Sequence, residues 1–305
     1  MEIWVLITVA AAFLQNVRSA MQKHLKGRMG TTGATFVRFG FGVPFALLYM
    51  GILAVVLARP LPVPGAAFFL WAVLGGIGQI AATFLLVHLF SFRNFAVGTA
   101  YSRTEPAQAA VFALVFLGER ASAGTLVAIA ISVAGVMIIS VARSVVSLRT
   151  LVTSVFSRTA AIGLLSGTFF GISAVAYRSA SLALAPTLPV PDYMMQASYT
   201  LVFVIVLQTV LMLGWILLRE RNELPRIAAA WRPALLVGFV GATASFGWFM
   251  AMTLQQAAVV KALAQVEMLF TFASTVFIFK ERINRLEIAG CALIVVGVLA
   301  LLAYG

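Results

Sequence analysis

Charged side chains lie within long apolar segments of this sequence, and their types and spacing limit the chemistry that the protein can perform. The stretch YSRTEPAQAAVF, residues 101–112, places Arg103 and Glu105 in the middle of a run that is otherwise almost wholly apolar. A charge at such a position costs on the order of 2.5–3.5 kcal/mol on insertion scales, so its presence needs a reason. A carboxylate and a cation in one place suit two kinds of chemistry: reversible binding of a proton, and binding of a zwitterion.

Ionisable residues recur in the other apolar segments and are expected to pair between helices. Those inside predicted helices are Arg18, Arg38, Arg103, Glu105, Arg178, Lys261 and Glu267. Residues two positions apart on a helix point in different directions, so Arg103 does not face Glu105 and each needs a partner from another helix. We expect Glu105 to pair with Lys261, and Glu267 with Arg103 or Arg38. Such pairs either lock helices together or open to admit a substrate or a proton, and the sequence leaves both interpretations open.

Uncharged polar side chains within the apolar segments extend the candidate site. We expect the substrate to contact residues from both halves of the chain: Asn16, Arg38, Gln79, Tyr101, Arg103, Glu105, Tyr177, Gln196, Trp248, Lys261, Gln265 and Glu267. For each uncharged member, an ordinary interhelical hydrogen bond is the alternative. The histidines, His24 and His88, lack a second ligand at metal spacing, and the sequence contains no HExxH, GxSxG or phosphate-binding glycine loop. We therefore expect no catalytic residue, no metal and no cofactor.

The composition predicts a protein that crosses a membrane many times. Hydrophobic residues make up 62% of the 305 positions and charged residues 10%, with a mean hydropathy of +1.06. A soluble protein carries about 25% charged residues. The net charge is +12, but the basic residues lie mainly between apolar segments, which favours orientation in a bilayer over nucleic-acid binding. The single cysteine, Cys291, excludes an intrachain disulfide.

Ten apolar segments are long enough to form membrane-spanning helices, which need about 20 residues each. They lie at about 3–24, 32–58, 66–91, 94–117, 122–142, 159–184, 193–218, 233–254, 258–279 and 286–304. Their length and their lack of polar alternation argue against barrel strands. Two longer, basic loops occur at about 143–158 and 219–232, and the first of them divides the chain nearly in half.

The two halves of the chain form an internal repeat. The fourth and fifth predicted helices align with the ninth and tenth without a gap, at a spacing of 162 positions that superposes Glu105 on Glu267, Glu119 on Glu281, Arg120 on Arg282 and Gly135 on Gly297. Chance similarity between apolar helices would match Leu and Ala more readily than isolated charges. We expect a first five-helix repeat at 1–145, a basic connecting loop at 146–158 and a second five-helix repeat at 159–305.

An odd number of helices in each half fixes the relation between the halves. After five crossings the chain enters the membrane from the opposite side, so the second repeat is inverted relative to the first. The predicted fold is an all-α membrane protein of ten transmembrane helices in two inverted five-helix repeats, an architecture found in secondary transporters. Two similar units that exchange conformations can close one side of the membrane while they open the other.

The distribution of basic residues predicts the orientation. Fourteen of them fall in the odd-numbered loops, whereas the even-numbered loops and the termini contain only Arg59 and Arg120. The positive-inside rule then places the odd-numbered loops in the cytoplasm and both termini outside.

The pattern of helices and loop motifs resembles the drug/metabolite transporter superfamily, and within it the EamA-type carriers. The resemblance covers essentially the whole chain and rests on LGER at 117–120, FKER at 279–282, the arginine in VRFGFG at 37–42, and the repeat. It implies a carrier, often an exporter, of amino acids or other small metabolites, with a central cavity lined by helices from both halves. Members of the family are usually drawn with both termini in the cytoplasm, which is the reverse of the charge count here.

We therefore expect a multi-pass protein of a bacterial inner membrane that works by alternating access around a central cavity between the repeats. Amino acids are the leading substrate class, because paired charges suit a zwitterion. Organic anions are the second class, since bases outnumber acids within the helices. The expected partners are a small-molecule substrate, the lipid bilayer and protons as the coupling ion, with the protein a monomer or weak homodimer. A lipid-handling protein and a membrane assembly partner without transport activity remain as alternatives.

Overall fold

A computed structural model describes residues 2–25, 28–89, 92, 95–142, 156–277 and 284–304. Within these ranges the chain is almost entirely helical and contains no strand, as the sequence predicted. Most of the predicted connecting loop 146–158 lies outside the described residues, as does the whole FKER motif with Glu281 and Arg282.

The first half of the chain contributes seven described α-helices. Their bounds are α1 Ile3–Leu25, α2 Thr31–Gly40, α3 Val43–Gly51, α4 Ala66–Leu89, α5 Phe95–Ser102, α6 Glu105–Leu117 and α7 Ala123–Ala142, and a π-helical turn at Ile52–Val56 extends α3. Gly118 ends α6 in the left-handed conformation (φ 66°), which costs glycine little. Its amide and that of Glu119 donate to the carbonyls of Leu114 and Ala113, so the LGER motif forms a helix C-cap.

The second half contributes a further seven described α-helices. Their bounds are α8 Arg158–Ala183, α9 Tyr193–Arg219, α10 Glu223–Ala229, α11 Trp231–Leu254, α12 Ala257–Leu263, α13 Val266–Phe277 and α14 Arg285–Tyr304. The short helix α10 occupies the second basic loop, where the sequence predicted no helix.

Eight described segments are long and apolar enough to cross a membrane: Ile3–Gln22, Thr31–Val56, Ala66–Leu86, Ala123–Ser140, Arg158–Thr187, Tyr193–Arg219, Trp231–Leu254 and Arg285–Tyr304. They coincide with eight of the ten predicted spans. The remaining two, the predicted fourth and ninth helices, are each divided into two short helices, α5–α6 and α12–α13. Within the described residues both predicted helices are present but interrupted, and the sequence did not predict the interruptions.

The two interruptions occupy corresponding places in the repeat. In the fourth helix the amides of Arg103 and Thr104 donate to the carbonyls three residues earlier, at 3.1 and 3.2 Å, so the chain tightens into a 3₁₀-like turn. In the ninth helix the amides of Gln265 and Glu267 do the same, at 3.2 and 3.0 Å. Pro106, which has no amide hydrogen, helps to end the α-helical ladder in the first repeat.

The described chain divides into two compact units, each of which takes helices from both halves of the sequence. Unit 1 contains residues 1–77 and 176–254, and unit 2 contains residues 78–175 and 255–305. Three sets of equivalent helices each lie within one unit: α2–α3 and α9 in unit 1, and α5–α6 with α12–α13, and α7 with α14, in unit 2.

In unit 1, α2–α3 and α9 run antiparallel and are tied at both ends. Before α2, the amide of Gly30 donates to the carboxylate of Glu223, just beyond α9, at 2.7 Å. Beyond α3, the Nη1 atom of Arg59 lies 2.9 and 2.8 Å from the two carboxylate oxygens of Asp192. Asp192 is also the N-cap of α9 and accepts from the amides of Met194 and Met195. The same carboxylate thus begins α9 and ties it to the neighbouring segment.

In unit 2, α7 and α14 also run antiparallel and approach closely through small residues. Ser122, before α7, donates to the carbonyl of Tyr304 at the end of α14, at 2.9 Å. A Cβ atom on Gly135, late in α7, would lie 2.7 Å from the carbonyl oxygen of Gly290, early in α14. Equivalent helices that run antiparallel are what an inverted repeat requires, so the contacts within each unit agree with the predicted fold.

Candidate functional site

The two interrupted helices meet in unit 2 and bring together charged residues of both repeats. Lys261 of α12 and Glu105 of α6 form an ion pair, with 2.9 Å between Nζ and Oε1. Both side chains are about one-fifth exposed, at 20% and 19%. The expected pairing of these two residues is therefore observed.

A second ion pair lies beside the first and is looser. The Nη1 atom of Arg103 lies 3.9 Å from Oε2 of Glu267, which is too long for a hydrogen bond. Glu267 is buried, at 9% exposed, whereas the Arg103 side chain is 35% exposed. Of the two partners that the sequence allowed for Glu267, the structure pairs it with Arg103.

The pairing is reciprocal between the repeats. Glu105 and Glu267 are equivalent positions, and each glutamate pairs with a cation from the other repeat. Arg103 and Gln265 are also equivalent, and Gln265 donates through Nε2 to the carbonyl oxygen of Arg103 at 3.4 Å. Because a contact between equivalent positions maps onto itself when the repeats are exchanged, this contact marks the local pseudo-twofold axis of unit 2.

Helix termini favour the signs of these charges. Glu105 lies in the first turn of α6 and Glu267 in the first turn of α13, where the partial positive charge of a helix N-terminus stabilises a carboxylate. Lys261 lies in the last turn of α12, where the partial negative charge favours a cation. A continuous helix would offer no such termini in the middle of the segment, so the interruptions make these positions tolerable for charge.

A stripe of glycines on α8 supports the interruption between α5 and α6. A Cβ atom on Gly163 would collide with the carbonyl of Gly98, and one on Gly167 would lie 3.0 Å from the carbonyl oxygen of Ser102. Farther along, Gly171 faces the backbone of Ala109 at 3.2 Å. These glycines therefore allow close packing, and the surface they pack against is the interrupted helix itself.

Gln108 links the interruption to α8, although the sequence-based site did not include it. Its Nε2 donates to the hydroxyl of Thr104 at 2.8 Å, and its Oε1 accepts from the hydroxyl of Thr168 at 2.6 Å. The hydroxyl of Thr104 in turn donates to the carbonyl of Tyr101 at 2.7 Å. A polar residue two positions after Pro106, in an apolar segment, was the available signal.

Tyr101, a further member of the predicted site, packs in the core of unit 2. It is 8% exposed and clusters with Val97, Ala100 and Ala160. The interruption at 103–104 separates Tyr101 from Glu105, so the two residues do not share one continuous helical face. Gln79 also belongs to unit 2 and is half-buried, and its carbonyl accepts from the hydroxyl of Thr83.

The other predicted site residues belong to unit 1, and several make interhelical hydrogen bonds. Gln196 donates to the carbonyl of Ser181 at 2.8 Å. Trp248 donates through its indole nitrogen to Oε1 of Gln15 at 3.0 Å. For these two side chains the structure shows the hydrogen bonding that the sequence offered as the alternative to substrate contact.

Tyr177, Arg38 and Asn16 complete the set in unit 1. The hydroxyl of Tyr177 accepts from Nε2 of Gln208 at 3.2 Å, and its ring packs on Phe249 with centroids 4.6 Å apart. Arg38 lies one turn before the interruption between α2 and α3, and Asn16 is half-buried in α1.

Arg178 was the remaining ionisable residue inside a predicted helix. It donates to the carbonyls of Met252 and Thr253, at 2.6 and 3.4 Å, and so caps the end of α11.

These features define a class of protein: an α-helical membrane protein of two inverted repeats, with an interrupted helix and an intramembrane carboxylate in each repeat. Interrupted helices and inverted repeats together are typical of secondary transporters. The model of the EamA-like transporter family matches residues 2–141 and 157–303, one match for each repeat, and the chain belongs to this family. The protein is therefore a multi-pass membrane transporter of small molecules.

Comparison with solved structures supports the fold. A crystal structure of a protein matches with a TM-score of 0.73 and 16% sequence identity, and the match covers 99% of both chains. At that identity the likeness concerns the fold alone. None of the curated proteins matches this sequence significantly.

Proposed function

We propose that this transporter exports small polar metabolites, with amino acids as the leading class, by alternating access. The observation that carries the proposal is the reciprocal pairing of Glu105 with Lys261 and of Glu267 with Arg103 at the two helix interruptions. Charges of both signs, placed at helix ends inside the membrane, suit a substrate that carries a carboxylate and an amine. An ammonium group would compete with the cations for a glutamate, and a carboxylate would bind an arginine or a lysine within the membrane.

The difference between the two ion pairs supports a role in transport over a purely structural one. Two pairs that only locked helices together would both gain from a short distance between the charges, because a buried charge without a close partner is costly. One pair here is tight, at 2.9 Å, and the other is open, at 3.9 Å. In our proposal the open pair is the one that a substrate or a proton engages in this state, and protons are the coupling ion.

Flux measurements on the purified full-length protein test this proposal. Proteoliposomes loaded with a mixture of labelled amino acids should release a subset of them faster than protein-free liposomes, and an imposed pH gradient should change the rate. The variant Glu267→Gln should lose most of the flux, whereas Arg59→Gln, on the ion pair beyond α3, should retain it. Absence of flux for every amino acid and organic acid in the panel would refute the proposal.

Orientation and assembly are part of the same proposal. From the charge count we propose that the protein lies in a bacterial inner membrane with both termini outside, as a monomer or weak homodimer. Labelling of single cysteines placed at Glu2 and at Arg221, in a Cys291→Ser background, tests the orientation in intact cells. A membrane-impermeant maleimide should label the cysteine at Glu2 and spare the one at Arg221, and the reverse pattern would refute the orientation.

A further inference from the structure

Two arginines of unit 1 converge on one glycine. Arg18 projects from α1 and Arg38 from α2, and both rest their aliphatic stems on Gly241 of α11. A Cβ atom built on Gly241 would lie 3.3 Å from Cδ of Arg18 and 3.4 Å from Cγ of Arg38. The absence of a side chain at position 241 thus makes room for both arginines at one place in the membrane interior.

The two arginines bring positive charge to one place in unit 1. Arg18 is buried, at 7% exposed. In a medium of low dielectric constant, two neighbouring cations make a favourable place for an anion.

The hydrogen bonding of Arg38 is also incomplete. Its Nε atom is buried and has no hydrogen-bond partner within the described part of the chain, and Arg38 forms no ion pair there. A guanidinium carries its donors in a planar fork that matches the two oxygens of a carboxylate. Nε and one Nη atom form one side of that fork. The Nε atom of Arg38, which has no partner in the described part of the chain, is therefore one that a bound oxyanion would engage.

We propose that Arg18 and Arg38 form an oxyanion-binding subsite that holds the carboxylate of the transported metabolite. The inference rests on the proposed function, and it narrows the substrate to molecules that carry a carboxylate. The other intramembrane arginine of unit 1, Arg178, serves as the contrast. It donates to two main-chain carbonyls at the end of α11, so its hydrogen bonding is already used within the protein.

Binding of succinate to the purified full-length protein tests the subsite. In a neutral detergent, the protein should be stabilised against heat by succinate and not by choline chloride at equal ionic strength. Arg38→Lys keeps the charge but removes the planar fork of donors, and it should weaken succinate binding by about tenfold or more, since a charge-assisted hydrogen bond is lost. Arg178→Lys is the matched control, which should lower the melting temperature but keep the affinity for succinate.

A second experiment distinguishes a metabolite carboxylate from a lipid phosphate, because the two groups have similar oxyanion chemistry. The same melting experiment in nanodiscs compares neutral phosphatidylcholine with added phosphatidylglycerol. Stabilisation by succinate that depends on Arg38 in neutral lipid supports the proposal. Stabilisation that depends on Arg38 but comes only from phosphatidylglycerol would overturn it in favour of a lipid site. Equal succinate affinity in the wild type and in Arg38→Lys would also overturn it.

The outcomes distinguish this inference from the proposed function. Succinate binding that depends on Arg38, in a protein that transports no metabolite in liposomes, would refute transport of these substrates and leave an oxyanion site. Amino-acid flux that is equal in the wild type and in Arg38→Lys, without succinate binding, would refute the subsite and leave the transport proposal intact.

Discussion

Glu105 and Lys261 lie 2.9 Å apart, although one begins α6 in the first repeat and the other ends α12 in the second. The pair therefore joins the two repeats at the point where the helix of each is interrupted. This relationship gives a direct test by exchange of the charges. Glu105→Lys and Lys261→Glu alone should each lower stability by about 1–3 kcal/mol, because each leaves two like charges together. The double exchange should recover part of the loss.

Recovery in the double variant should be incomplete, because the exchanged charges are unfavourable at these helix ends. The exchanged lysine would lie at a helix N-terminus and the exchanged glutamate at a helix C-terminus, so both would oppose the helix dipoles. Melting curves of the three variants in detergent measure the effect. A double variant no more stable than the less stable single variant would contradict the pairing.

The two ion pairs should respond differently to neutralisation. Lys261→Gln breaks the tight pair, so it should lower the melting temperature clearly. Arg103→Gln breaks only the 3.9 Å contact of a side chain that is 35% exposed, so its effect on stability should be small, under about 1 kcal/mol. We expect Arg103→Gln nevertheless to reduce flux, since the proposal assigns substrate contact to the open pair. A variant with normal flux and normal stability would place Arg103 outside the site.

Packing of α8 against the interrupted helix predicts the effect of a single methyl group. Gly163→Ala should destabilise the protein by about 1–3 kcal/mol, because its Cβ meets the backbone of Gly98 and neither backbone can give way easily. The control is Gly214→Ala in α9, where a Cβ has no heavy atom within 4 Å. That variant should be neutral or slightly stabilised, since alanine favours a helix over glycine by up to about 1 kcal/mol. Equal melting temperatures for the two variants would contradict the predicted contact.

Asp192 has two roles that substitution can separate. Asp192→Asn keeps an oxygen for the amides of Met194 and Met195 but loses the ion pair with Arg59, and should cost at most about 1 kcal/mol. Asp192→Ala loses the helix cap as well, which adds about 1 kcal/mol. Melting at low and high salt checks the assignment: the difference between wild type and Asp192→Asn should shrink as salt rises, and the difference between the two variants should not.

Much of this architecture could be predicted from the sequence, because its signals are strong and local. Apolar length marked the membrane spans, and the spacing of Glu105 and Glu267 marked the repeat. The pairing of Glu105 with Lys261 was predictable because a charge inside a membrane needs a partner and its own helix offered none. In each case one physical requirement left few alternatives.

The interruptions were harder to predict, since hydropathy does not report backbone conformation. Pro106 gave a signal in the first repeat, because proline disfavours a helical conformation in the residue before it. Its equivalent in the second repeat is Met268, an ordinary helix former, and yet that helix is interrupted too. Which of the two ion pairs is tight depends on differences of about an ångström in helix position, which the residue types do not determine.

The ties at both ends of α2–α3 and α9 restrict how unit 1 can deform. Gly30 is bonded to Glu223 at one end and Arg59 to Asp192 at the other. Neither α2–α3 nor α9 can therefore slide along the other without breaking one of these contacts. A deformation that keeps both contacts must bend the helices. The segment can bend at Phe41 and Gly42, between the end of α2 and the start of α3. Arg38 lies three residues before Phe41. Bending at Phe41 and Gly42 would move Arg38 while both ends of α2–α3 stay in place.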